Sequence, residues 1–272
     1  MIRTLLLALA VLCAPHVLFA QASTSIHLTL GNPSQAKPDK SQRTNYLLVN
    51  EEWACSYNVE TGGPNWVSWH LSIDDLGNAD RAGLDFTVDP DLPDEFPAIT
   101  GALYAGSGFD KGHGCPFADR TRTRAAGKRT FTTANCGPQA PVLNRGQIGV
   151  VEDLRREAAR DGNELFIVIG PAGSGGRGEH GYRLSIGTAE RRVNVPALWW
   201  ASWISIPAKR GNALSRITKA SEIHSVIFRN DQDQADNWRQ ATSTARDIEQ
   251  LTELDLFDLL PDDVERALEI RR

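Results

Sequence analysis

Strand-like stretches recur along this chain without a regular helix between one and the next. Residues 65–71 alternate strictly, with Val67, Trp69 and Leu71 on one face and Trp66, Ser68 and His70 on the other. The turn-forming run Thr61-Gly62-Gly63-Pro64 precedes them, so residues 53–57 and 65–73 form an expected hairpin. Leu165–Ile169, entered through Glu164, is an apolar run of strand length, and residues 199–206 and 225–228 supply further strands. A doubly wound α/β fold would place a helix after nearly every strand. Here helical spacing is confined to three places. Ile148, Val151, Leu154 and Ala158 fall at that spacing, with a stop at Gly162. Residues 243–254 form a second helix with Ser243 as cap, and Pro261 opens a third that is acidic. The pattern points to one α+β domain, and 272 residues are enough for one sizeable core.

The two ends of that domain are set by composition. Residues 1–22 carry Arg3, an apolar run from Leu5 to Leu12 and a small-x-small site at Ala20-Gln21-Ala22, the pattern of a signal peptide. The run is too short to span a bilayer and is broken soon afterwards by Pro15, so no membrane partner is expected after cleavage and the product would be secreted or periplasmic. Residues 23–45 are polar, hold Pro33 and Pro38 and show no periodicity, which predicts a flexible linker before a domain at 46–272. Cleavage would leave Cys55, Cys115 and Cys136, allowing at most one internal disulfide and leaving one thiol over. No Cys-x-x-Cys pair is present, which argues against structural zinc.

The formal charge of −5 is unpromising for a partner made of phosphates, yet the charge is unevenly laid out. Residues 111–129 hold six Lys and Arg against one acid, Asp119, whereas residues 230–266 hold eleven acids. The basic run, Arg120, Arg122, Arg124, Lys128 and Arg129, comes directly after Gly108-Phe109-Asp110-Lys111-Gly112-His113-Gly114-Cys115-Pro116. His113 stands between glycines, where little bulk would bury it, and an imidazole titrates near neutral pH. Cations beside a potential general base suggest a phosphate-bearing substrate. Farther on lie Asn135 and Gln139 within Thr133–Gln139, then Leu143-Asn144-Arg145-Gly146, then Glu152 and Arg156, four apart on one helix face. The glycine-rich stretch 170–176 lacks the Gly-Lys-Ser/Thr ending of a phosphate cradle and reads as a flexible turn.

Taken in order, Asp-Lys-Gly-His, Asn-x-x-Pro-Gln, Leu-Asn-Arg-Gly and Glu-x-x-x-Arg resemble the DNA/RNA non-specific endonucleases of the ββα-metal class. The likeness runs from about Trp53 to the C-terminus, with one departure: the family usually carries Arg where this chain has Lys111. It implies a central antiparallel sheet flanked by helices, with the site on a β–β–α element. It further implies His113 as general base, Asn144 as ligand of Mg²⁺ or Mn²⁺, and Glu152 holding metal-bound water. Asn135 would support the site by hydrogen bonding, while Arg156, Arg81 and Lys111 would face phosphate oxygens. The implied activity is hydrolysis of DNA and RNA without strong sequence preference, leaving 5′-phosphate ends. An exported nucleic-acid-binding protein on a degenerate nuclease scaffold, or a phosphodiesterase of smaller substrates, is the alternative. No inhibitor protein can be read from the residues.

Overall fold

The computed structural model describes residues 25–234 and 237–272, so the leader expected at 1–22 lies outside the described residues. In chain order the strands are β1 Tyr46–Val49, β2 Ala54–Asn58, β3 Gly63–Leu71, β4 Asp110–His113, β5 Cys136–Gln139, β6 Asn163–Ala172 and β7 Gly176–Gly178. They continue as β8 Gly181–Arg183, β9 Ser185–Gly187, β10 Arg192–Asn194, β11 Leu198–Pro207, β12 Glu222–Arg229 and β13 Thr242–Ser243. The helices are α1 Arg124–Lys128, α2 Pro141–Leu143, α3 Gly149–Arg160, α4 Ala245–Thr252 and α5 Asp262–Glu269.

Seven strands make one sheet in the order β1-β2-β3-β6-β11-β12-β13, antiparallel throughout. Its three central strands bury both faces, and the period of two sorts their side chains into two cores. Trp69, Leu165, Ile167, Trp199 and Trp203 belong to the core on one face. Trp66, Phe166, Val168, Trp200 and Ile204 belong to the core on the other. The first core is closed by α3, whose Val151 and Ala159 pack into it, and by the segment around Cys115 and Ala134. The second is closed by α4 and α5, through Ile248 and Leu268, and by Leu30 and Ala36 from the N-terminal segment. The expected hairpin is present as β2 and β3.

Three local expectations are corrected. Residues 25–45 are not a free linker: a 3₁₀ turn at Ile26–Leu28 buries His27, and Lys37 bridges to Tyr46. His27 Nδ1 accepts from the His70 amide at 3.2 Å and its Nε2 donates to the Glu51 carbonyl at 3.0 Å. Such clasping by single buried residues and backbone groups leaves no periodicity to read. The turn expected at 170–176 is shorter, because β6 runs on to Ala172 and β7 begins at Gly176. The cap of α4 is Thr244, which forms a reciprocal pair with Asp247, while the Ser243 hydroxyl only adds a bond to the same carboxylate.

Candidate active site

The β–β–α element is formed by β4, β5 and the helix after them. Strands β4 and β5 pair antiparallel, with His113 opposite Cys136 and Asp110 opposite Gln139. One residue later the chain enters α2, passes through a π-helical turn at Asn144–Ile148, and continues as α3. That turn has a geometric consequence. Asn144 and Glu152 are eight residues apart, which in an unbroken α-helix would set them about 80° out of line. One i→i+5 turn absorbs an extra residue and brings both onto the same face.

His113 sits in an aromatic recess. Its ring lies 4.6 Å from that of Phe86 and 4.9 Å, edge-on, from that of Phe131. The residue is half-buried, with Nε2 at the enclosed end and without a hydrogen-bond partner. Burial, and then the nearby charge of Arg81, push its pKa down to about 3, so the imidazole is neutral. Arg81 is exposed, with its guanidinium 5.6 Å from the Phe131 ring centre. Lys111, on the same strand, donates to Asp85 at 2.5 Å and lies 5.5 Å from the Phe86 ring centre. Since Asp85 is 76% exposed, this pair is a weak one that a phosphate could displace.

The start of the helix makes a second group. Asn144 Nδ2 donates to Asp110 Oδ2 at 2.8 Å, while Arg145 grips both oxygens of Asp110 at 2.9 and 2.6 Å. With its amide nitrogen so committed, Asn144 keeps Oδ1 for another partner. Glu152 and Arg156 belong to a third group, around the buried Asp119. Trp69 Nε1 donates to one Asp119 oxygen at 2.9 Å, and Arg156 Nη1 donates to the other at 2.9 Å. Arg156 also meets Asp153 at 2.6 Å and Glu152 at 3.7 Å. Burial, reinforced by Asp119, pushes Glu152 up to about 7 against the lowering effect of Arg155 and Arg156.

Strand β4 therefore joins the first two groups, and the helix joins the last two. Asn135 serves all of them indirectly. It is fully buried; its Oδ1 accepts from the Cys115 amide at 2.8 Å. Its Nδ2 donates to the carbonyls of Cys115 and Thr130 at 2.8 and 2.9 Å. Its side chain is spent on the turn just after His113. Arg156, expected to face phosphate, donates in this structure to the carboxylates of Asp119 and Asp153.

The basic run is also not what its composition suggests. Arg120 is fully buried between Glu52 and Asp75, and Arg122 meets the same two acids. Arg124 donates to the carbonyls of Asp80 and Ala82, and Arg129 pairs with Asp89 and Asp91. These arginines hold the segment at 75–91 in place, and their partners lie too far back in sequence to be matched by inspection. The three cysteines are free buried thiols with no disulfide among them.

Gln139 belongs to the sequence motif without a role assigned to it, and its surroundings are unusual. It is fully buried, and both heteroatoms of its amide lack a partner. It presses on Gly112, where an added Cβ would lie 2.0 Å from its Cδ, so the strand between Lys111 and His113 has no space for a side chain. An amide left unpaired in this way costs about 1–3 kcal/mol. The glycine before the histidine was the available signal.

Among the described residues no cluster of three or more His, Cys, Asp or Glu side chains could hold a metal. The donor set still fits one kind of ion. A hard divalent cation that keeps most of its waters needs few protein oxygens, and Asn144 Oδ1 and the Glu152 carboxylate are of that type.

Comparison with known proteins agrees with the architecture. A nuclease from a Nostoc species is 37% identical over 247 residues, covering 91% of this chain and 86% of the relative. Nuclease C1 of Cunninghamella echinulata is 31% identical over 174 residues, covering 62% of this chain and 66% of the relative. The crystal structure of EndoG in complex with EndoGI superposes with a TM-score of 0.70 at 19% identity, over 88% of this chain and 94% of that one, which bears on the fold alone. The sequence pattern of the DNA/RNA non-specific endonucleases matches residues 30–263, and with this match and the Nostoc relative the chain belongs to that family.

Proposed function

We propose that this protein is a metal-dependent endonuclease that hydrolyses phosphodiester bonds in both DNA and RNA. The observation that carries this reading is the neutral, half-buried His113 on the strand that also presents Lys111, with Arg81 within electrostatic reach of the imidazole. A bound phosphate would neutralise Arg81, the second cause of the low pKa of His113. That raises the basicity of the imidazole, the group proposed to take a proton from the attacking water. Arg81 and Lys111 orient the scissile phosphate, the latter on release from Asp85. Contacts confined to phosphate carry no sequence information, which accounts for a broad substrate range.

Asn144 would hold a Mg²⁺ or Mn²⁺ ion directly, with Glu152 holding its waters. When bound, that ion supplies electrostatic stabilisation of the charge that develops on phosphate and leaving oxygen. Arg156 fixes the Glu152 carboxylate by anchoring it to Asp119 rather than touching substrate. Asn135 holds the turn that aims His113. Departure of the 3′ oxygen leaves 5′-phosphate ends. Export directed by residues 1–22 belongs to the same proposal, and the mature N-terminus measured by mass spectrometry would fall after Ala22.

Digestion of plasmid DNA and of RNA, with Mg²⁺ and with EDTA, tests the reading. Cleavage of both polymers only with the metal, giving ends that a ligase accepts without prior phosphorylation, is the expected result. Cleavage in EDTA would remove the metal from the scheme. Binding without cleavage would favour the degenerate scaffold.

A further inference from the structure

Outside the catalytic groups, the hairpin of β7 and β8 presents an exposed arginine and tyrosine beside the catalytic strand. Its register sets Arg177 opposite Tyr182, with Gly176 opposite Arg183 and Gly178 opposite Gly181. Directly opposed residues share a face, so one face carries Arg177 and Tyr182 and the other is largely glycine.

The glycine face is pressed onto the lead-in to β4. A Cβ on Gly178 would lie 2.4 Å from the Gly108 carbonyl oxygen and 2.9 Å from the Phe109 ring. The Glu179 amide donates to the same Gly108 carbonyl at 2.9 Å. At the other end, the Arg177 amide donates to the Asn230 carbonyl at 2.9 Å. The buried Asn230 side chain in turn accepts from the Ala140 amide at 2.7 Å and donates to the Pro138 carbonyl at 3.0 Å. The hairpin is thus tied both to the strand bearing Lys111 and His113 and to the start of the helix bearing Asn144.

Its outward face is open. The Tyr182 residue is 60% exposed, and the Arg177 side chain is 56% exposed with only a distant partner, Asp231, at 4.0 Å. Residues 177–192 hold four arginines against two glutamates in a chain of net negative charge. One of those acids, Glu179 at the tip, lies within electrostatic reach of Arg145.

We infer that this hairpin is a substrate-binding shelf, on which a single strand of nucleic acid flanking the cleaved bond places a phosphate on Arg177 and stacks a base on Tyr182. The inference rests on the nuclease reading for its occupant. Stacking on one ring and a single cation on a phosphate are indifferent to base identity, in keeping with a broad substrate range.

The test is fluorescence anisotropy with a labelled 20-nucleotide single-stranded DNA, and an RNA of the same sequence, in EDTA. Tyr182→Ala should weaken binding about tenfold, and Tyr182→Phe should stay within about twofold of wild type, because the ring and not the hydroxyl is used. Arg177→Ala should reduce the slope of log Kd against log salt by about 0.7, the single-strand value for one phosphate contact. Melting temperatures equal to wild type would exclude a folding defect. Kd values within about twofold of wild type for both alanine variants, with an unaltered salt slope, would overturn the inference. Binding is read without metal and cleavage with Mg²⁺. A protein that binds through the hairpin but does not cleave would therefore overturn the nuclease reading alone.

Discussion

His113 and Asn135 illustrate how two residues of one motif come to do different work. His113 has an enclosed nitrogen with no partner, whereas every polar atom of the Asn135 side chain is in use. Replacing Asn135 by alanine would leave the Cys115 amide and the carbonyls of Cys115 and Thr130 unpaired in the core. At about 1–3 kcal/mol for each such group, the variant should lose several degrees of melting temperature together with activity. A variant with wild-type melting would show that the turn does not depend on Asn135. Lys111 differs again, because its ammonium offers a point charge where a guanidinium would offer a fork. Initial rates on one duplex should be kept or raised in Lys111→Arg and should fall about tenfold or more in Lys111→Ala. A wild-type rate for the alanine variant would take Lys111 off the phosphate. The candidate base was legible because glycines on both sides keep it from being an ordinary core residue. The pairing of Arg120, Arg122 and Arg129 was not, because their acids lie about 40–70 residues upstream and only the fold brings them together.

At the scale of elements, the helix from Pro141 to Arg160 and the N-terminal clasp each make a claim that can be checked. The spacing of Ile148, Val151, Leu154 and Ala158 announced α3, but nothing in it announced the π turn, since one extra residue leaves the apolar stripe after it intact. Deleting Gly146, which has open space around its Cα, should restore an α-helical turn and rotate Asn144 away from Glu152. Expected is a folded protein with cleavage reduced about a hundredfold; full activity would show that the alignment is not needed. The clasp is sensitive to acid. Both nitrogens of His27 are used in the neutral form, and burial lowers its pKa to about 4. A depressed pKa means that the unfolded chain takes up the proton first. The stabilisation is therefore complete above pH about 6.5 and is lost as pH falls toward 4. Wild type should melt lower at pH 5 than at pH 7 by the equivalent of roughly 2 kcal/mol, and the His27→Gln variant should show a shallower dependence. Equal slopes would exclude His27 as a source. Residues 25–45 looked like linker because buried histidines and backbone bridges have no composition of their own.

For the whole molecule, the sheet's strict alternation was readable along β3, and the α+β class could be inferred from the scarcity of helices between strands. What alternation does not say is that both faces are covered, and the second core became visible only with α4, α5 and the N-terminal segment packed on it. The helix of the β–β–α element packs on one face of the sheet through Val151 and Ala159, while the acidic C-terminal region packs on the opposite face. The central claim is that His113 takes the proton from the attacking water. Its most direct test is the initial rate of plasmid nicking by wild type and His113→Ala at saturating Mg²⁺, with DNA affinity measured alongside in EDTA. A general base at this position predicts a rate lower by about 10²–10⁴-fold with affinity nearly unchanged. A variant that keeps more than about a tenth of the wild-type rate would contradict it.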